Sequence, residues 1–200
     1  MTNQTYVHRL KAGAVGAPLF IVFHGTGGDE NQFFGLAEQL LPDATIVSPR
    51  GDVSEYGAAR FFRRTGEGVY DMADLARATD KMAGFIAALA DEYKPSEVIA
   101  LGYSNGANIM ANLLIEKGKI FDRAVLLHPL IPFKPADNTA LEGTRILMTA
   151  GRMDPICPPD FTEALAHYFE SQKAEVELVW HPGGHELRQT ELAAVQSFLG

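Results

Sequence analysis

Two hundred residues, 46% of them apolar, suffice for one globular domain (1–200) with a full core, and no Ser/Gly linker, internal repeat or low-complexity tract marks a second. A formal charge of −8, with Arg60, Arg63 and Arg64 as the only basic cluster, argues against a nucleic-acid partner. No apolar run is long enough to span a membrane, Met1–Leu10 lacks a signal peptide's apolar stretch, and the single cysteine, Cys157, fits a reducing cytoplasm.

Residues 6–11 read as a first strand at a sheet edge. Residues 18–24, PLFIVFH, form the near-continuous apolar run of a strand buried on both faces. The stretch HGTGGDE follows, then helix-like sequence over 31–41 and a short strand over 44–48. Residues 51–70 read as a long irregular segment. The helix expected over 71–93 carries Leu75, Met82, Phe85, Ile86 and Leu89 at three- and four-residue intervals. Glu97–Gly106, EVIALGYSNG, reads as strand and sharp turn, and a helix follows over 104–117. Further strands are expected over 123–128, 144–150 and 175–181, and further helices over 159–173 and 186–199. This alternation predicts an α/β fold: a doubly wound, mostly parallel sheet of about seven strands with helices on both faces. The fifteen residues 129–143 leave no room for a large lid.

Gly102-Tyr103-Ser104-Asn105-Gly106 is a G-x-S-x-G sequence between a strand and a helix, the context in which a serine hydroxyl stands clear at the sheet edge. A serine needs a base to become a nucleophile, and that base needs an orienting acid. The hydrolase order Ser, Asp, His is met by Ser104, by Asp154 after the 144–150 strand and by His185 after the 175–181 strand. Asp160 is the nearest rival acid, but it falls where a helix N-terminus is expected and capping explains it better. His181 competes with His185, yet it ends a strand, whereas His185 follows two glycines. The oxyanion of an acyl-transfer intermediate needs backbone donors, assigned to the amides of Asn105 and Thr26.

Gly25-Thr26-Gly27-Gly28-Asp29-Glu30 begins like a dinucleotide loop, but Glu30 takes the place of the final glycine. No G-K-[ST] or H-E-x-x-H occurs, so no cofactor and no metal are expected. His24 and His128 end strands and read as structural or pocket-lining; Gly25 lets substrate approach the backbone. Cys157 reads as a packing residue or a pocket thiol. Arg60-Phe61-Phe62-Arg63-Arg64 forms either a pocket wall whose guanidiniums hold an acidic substrate group, or surface pairs with Glu55, Glu67 and Asp71.

H-G-T-G-G-D-E, G-Y-S-N-G-A-N, G-R-M-D-P-I-C-P and G-G-H-E-L together resemble the phospholipase/carboxylesterase group of α/β-hydrolases. Pro49-Arg50-Gly51, Arg60–Arg64 and His128-Pro129 extend the resemblance to the small bacterial carboxylesterases that include hydroquinone- and copper-stress-associated hydrolases. The resemblance implies a cofactor-independent serine carboxylesterase acting on a small-molecule ester, with Ser104, Asp154 and His185 as its triad. Acyl-protein thioesterases usually carry Trp-Phe-Asp where this chain has Phe61-Phe62-Arg63, which argues against acylated proteins as substrates. Dienelactone hydrolases share the fold but use a cysteine nucleophile, so Ser104 argues against that assignment. A thioesterase or lysophospholipase with the same triad, and a non-catalytic binding protein on this fold, stay open. A homodimer is compatible with the sequence.

Overall fold

The computed structural model describes residues 5–200. The expectation about a leader rests in part on residues 1–4, which lie outside the described residues. In chain order the elements are β1 (His8–Lys11), β2 (Leu19–Phe23), α1 (Phe34–Leu40), β3 (Thr45–Pro49), β4 (Val53–Glu55), β5 (Ala58–Arg60), β6 (Arg64–Gly66), β7 (Val69–Tyr70) and α2 (Met72–Tyr93). Then come β8 (Val98–Tyr103), α3 (Asn105–Lys117), β9 (Arg123–Leu127), β10 (Arg145–Gly151), α4 (Pro159–Ser171), β11 (Glu175–His181) and α5 (Gln189–Leu199).

Seven strands form one sheet in the order β1-β3-β2-β8-β9-β10-β11, with β1 antiparallel at the edge and the rest parallel. Alternate residues of the inner strands serve opposite faces. Leu19, Ile21, Phe23, Ala100, Leu126 and Met148 pack with α2, α3 and α4; Phe20, Val22, Ile99, Leu101, Val125 and Leu147 pack with α1 and α5. Both faces are therefore covered, as the unbroken apolar run of β2 requires. Residues 129–143 hold one short 3₁₀ turn, Thr139–Leu141. Among the described residues no helix is long and apolar enough to cross a membrane.

Residues 51–70 depart from the irregular segment expected of them. They fold into two small antiparallel hairpins, β4–β5 and β6–β7. The strands are only two or three residues long, too short for a period-two pattern to stand out. The hairpin turns carry Tyr56 (φ 51°), Gly57 (φ 90°) and Gly68 (φ 65°) in the left-handed region. The last helix starts three residues later than expected. Glu191 reaches back to accept the Arg188 N–H at 2.8 Å and so fixes the first turn of α5, while Glu186 is engaged with Gly184 N and Arg188 in the preceding loop.

Candidate active site

β8 ends at Tyr103 and α3 begins at Asn105, so Ser104 alone turns the chain. Its backbone lies at φ 52°, ψ −116°, a conformation that costs a non-glycine residue about 1–3 kcal/mol. The neighbouring glycines give the turn its room. A Cβ on Gly102 would stand 2.7 Å from the Gly106 carbonyl oxygen, and one on Gly106 would stand 2.5 Å from that of Phe23. The Ser104 N–H donates to Leu127 O at 2.9 Å, which ties the elbow to β9.

The three residues expected from the sequence come together. His185 Nε2 lies 2.9 Å from Ser104 Oγ, and His185 Nδ1 lies 2.7 Å from Asp154 Oδ2. The other oxygen of Asp154, Oδ1, accepts the amides of Ile156 (2.8 Å) and Cys157 (2.9 Å). Burial alone would raise the Asp154 carboxyl, but the Cys157 amide, His128 and His185 outweigh it and hold it below the ordinary carboxylate range. The loops carrying acid and base are packed backbone to backbone: Met153 N donates to Gly183 O at 2.9 Å and Arg152 N to His181 O at 2.8 Å. The rivals lie elsewhere. His181 turns its ring inward, its Nδ1 accepting the Gly183 amide at 3.0 Å. Asp160 sits in the first turn of α4, where its charge suits the helix dipole without a side-chain cap.

The amides of Thr26 and Asn105 make no hydrogen bond among the described residues, so both are free to donate into the cleft. The Thr26 loop is held from several sides. Arg60 Nη1 donates to Thr26 Oγ1 at 2.6 Å, Gly27 N to Ala59 O at 2.9 Å, and Gly25 N to Gln32 Oε1 at 2.9 Å. Asn105 is anchored through its side chain, whose Oδ1 accepts the Phe61 amide at 2.8 Å.

The cleft above Ser104 has a volume of about 400 Å³ and is lined by Thr26, Arg60, Arg64, Glu67, Gly68, Tyr70, Tyr103, Asn105, Asn108, Leu130, Ile156, Cys157 and His185. Of the expected pocket residues, Arg64 and Cys157 are there; His24, Gly25, Phe61, Phe62, Arg63 and His128 are not. Phe61 and Phe62 have no exposed surface and pack in the core, because the hairpins fold them beneath the cleft. His24 donates from Nδ1 to Gly25 O (2.7 Å), accepts the Gly51 amide at Nε2 (2.9 Å) and lies against Phe61. Burial lowers its basicity, so a neutral ring pins the oxyanion loop to the next one. Gly25 gives its space to Tyr103, whose ring would meet a Cβ there at 2.8 Å. Arg63 points outward to Asp71 (3.2 Å) and Asp74 (3.3 Å). Arg64 pairs with Glu55 (3.0 Å) and Glu67 (3.1 Å) while lining the cleft. Cys157 directs its thiol to His128 O at 3.2 Å, and burial pushes that thiol up, away from reactivity.

Sequence reasoning missed Tyr103, although it stands beside the serine in the motif. Its hydroxyl donates to His185 O at 2.6 Å, and its ring lies 5.3 Å from the His185 ring. Burial, then the charges of Asp154, Glu191 and Glu186, push the phenol up to about 12, so it stays a donor. Tyr103→Phe removes this tether while keeping the ring. We expect it to lower turnover about tenfold and stability by about 1 kcal/mol, read by steady-state kinetics and thermal unfolding.

The ring nitrogens of His128 and His181 and the Glu191 carboxylate come within 4.8 Å of one another, a spacing that could hold a metal ion. The protons do not fit that role. His181 Nδ1 accepts the Gly183 amide, so a neutral ring carries its proton on Nε2, the nitrogen a metal would need. Metal-bound histidine instead donates from its second nitrogen.

A family model described as the dienelactone hydrolase family matches residues 59–191. The chain is 38% identical over 175 residues to MhqD of Bacillus subtilis, a protein that bears the name of a hydrolase, covering 86% of this chain and 88% of that one. A structure of a protein of unknown function from Agrobacterium tumefaciens is 61% identical, with a TM-score of 0.96 over 100% of this chain and 98% of the other. A Bacillus cereus carboxylesterase is 36% identical, with a TM-score of 0.90 over 99% of this chain and 95% of the other.

Proposed function

Since the chain belongs to the dienelactone hydrolase family and is a hydrolase of carboxylesterase type, we propose that it is a serine esterase working through Ser104, His185 and Asp154. Membership in that family corrects the expectation that a serine nucleophile sets the chain apart from it.

One observation carries the reading: Ser104 Oγ, both ring nitrogens of His185 and Asp154 Oδ2 form one hydrogen-bonded line beside two unused amides. In this mechanism His185 Nε2 takes the Ser104 proton as Oγ attacks the ester carbonyl. Asp154 keeps the proton on Nδ1 and stabilises the imidazolium. The oxyanion is received by the amides of Thr26 and Asn105. His185 then protonates the departing alcohol, and a water deprotonated by the same nitrogen releases the acid from Ser104. A cleft of about 400 Å³ lies at the small end of ligand pockets, roughly 300–1,000 Å³, which supports small to medium esters.

A fluorophosphonate should label the wild-type protein once per chain, at Ser104, and p-nitrophenyl acetate or butyrate should be hydrolysed with loss of activity on labelling. A folded protein that stays unlabelled and turns over neither ester overturns the proposal.

A further inference from the structure

Behind Asp154 lies a second set of buried ionisable groups that the triad does not use. Asp154 Oδ2 is shared: it meets His185 Nδ1 at 2.7 Å and His128 Nδ1 at 2.9 Å. The other nitrogen of His128, Nε2, lies 3.0 Å from Glu191 Oε1. Neither His128 nor Glu191 has any exposed surface. The chain of contacts therefore runs Ser104, His185, Asp154, His128, Glu191, from the turn before α3 through three further strand-end loops to α5.

The protons in this chain can be placed from the fixed donors. Asp154 Oδ1 is occupied by two amides. Glu191 Oε2 receives the Arg188 amide at 2.8 Å and faces His181 Nε2 at 3.3 Å, and Oε1 receives the Thr149 hydroxyl at 2.5 Å. Carboxylates so filled with donors are in surroundings that favour the ionised form. A carboxylate at each end of His128 then calls for a proton on each ring nitrogen.

We propose that His128 is a buried imidazolium clamped between Asp154 and Glu191, and that His128 and Glu191 are positioning residues that set the basicity of His185. The proposal rests on the serine-esterase reading above. The remaining groups around His128 do not replace these two carboxylates. His181 Nε2 stands 3.4 Å from His128 Nε2 and 3.3 Å from Glu191 Oε2, beside a carboxylate that both rings face; the Tyr103 ring lies 5.9 Å away edge-on; the Cys157 thiol meets the His128 carbonyl. Burial opposes the charge on His128, but Glu191 and Asp154 outweigh it and raise its basicity.

The consequence for catalysis follows from charge alternation. A cation on His128, 5.1 Å away ring to ring, opposes a proton on His185 by Coulomb repulsion. When His185 takes the serine proton, the series becomes His185 positive, Asp154 negative, His128 positive, Glu191 negative. The cluster thus keeps the base unprotonated to lower pH and still balances its charge in the transition state.

Two measurements test this. In ¹⁵N–¹H spectra of the wild-type protein, both ring nitrogens of His128 should show protonated shifts at pH 7, and a neutral His128 tautomer there overturns the proposal. In His128→Asn the amide still donates to Asp154 but carries no charge. The pH below which fluorophosphonate labelling of Ser104 slows should rise by at least about one pH unit. A folded variant with an unmoved pH profile also overturns it. A packing role alone would change the rate without moving the profile, and the wild-type spectrum decides the matter if the variant fails to fold. Absence of any labelling in the wild type would instead count against the esterase reading.

Discussion

Replacing Ser104 with alanine is expected to lower ester turnover about 10⁴- to 10⁶-fold and to leave the fold intact. The magnitude reflects how a triad works. In the proposed mechanism Ser104 Oγ and His185 Nε2, 2.9 Å apart, act as one unit, so removing the nucleophile would remove acyl-enzyme chemistry altogether. What survives is the weak catalysis that free amides at Thr26 and Asn105 give to attack by water. The stability change is small, because the Ser104 backbone still donates to Leu127 O and the lost hydroxyl borders the cleft rather than the core. Alanine keeps the Cβ, so the backbone cost at φ 52° is unchanged. Burst kinetics with p-nitrophenyl acetate give the sharpest reading: the wild type releases one equivalent of nitrophenol per site before steady turnover when deacylation is slow, and the variant releases none. Activity of Ser104→Ala within tenfold of wild type would sink the assignment.

Replacing Gly151 with alanine damages both stability and turnover without touching a reacting atom. Gly151 closes β10, three residues before Asp154. A Cβ there would stand 2.0 Å from Gly184 O and 2.4 Å from Gly183 O, in the loop that carries His185. Both neighbours are backbone, so relief must come from moving a loop rather than rotating a side chain. The loops are joined by the Met153 N to Gly183 O bond, and that bond lengthens as they part. We expect a stability loss of about 1–3 kcal/mol, the usual cost of overpacking. Displacement of His185 by about 1 Å from Asp154 and Ser104 should lower kcat about 10²-fold. Thermal unfolding and kcat measured on the same preparation check both halves. A variant as active and stable as wild type would show that the two loops do not hold the base in place.

Within the site, legibility follows from how far each residue's signal lies from its role. Ser104 and Asp154 sit just after inner strands that announce themselves as apolar runs, and His185 follows the edge strand β11, so chain order and strand ends locate all three. Thr26 and Asn105 follow the same logic. Phe61 and Phe62 show the opposite case. An aromatic pair between arginines reads as pocket wall, and only the two hairpins, whose strands are too short to leave a pattern, put the pair in the core. Arg63 and Arg64 are adjacent in sequence and have different neighbours in space: Asp71 and Asp74 for one, Glu55, Glu67 and the cleft for the other.

The sequence by itself determined the sheet, its burial on both faces, and the strand-end positions of the candidate triad. Apolar periodicity and glycine punctuation are local, and in a parallel sheet they fix which ends of the strands gather. Tertiary structure alone decided what surrounds the triad. Glu191 is a helix residue 37 positions beyond Asp154, and His128 ends a strand 26 positions before it, yet both close on the same buried acid. Their partnership depends on the order β9-β10-β11 and on α5 folding back across it, a long-range arrangement with no local pattern. Gly151 likewise carries no local sign of its constraint, and only the approach of a second backbone shows why no side chain fits there.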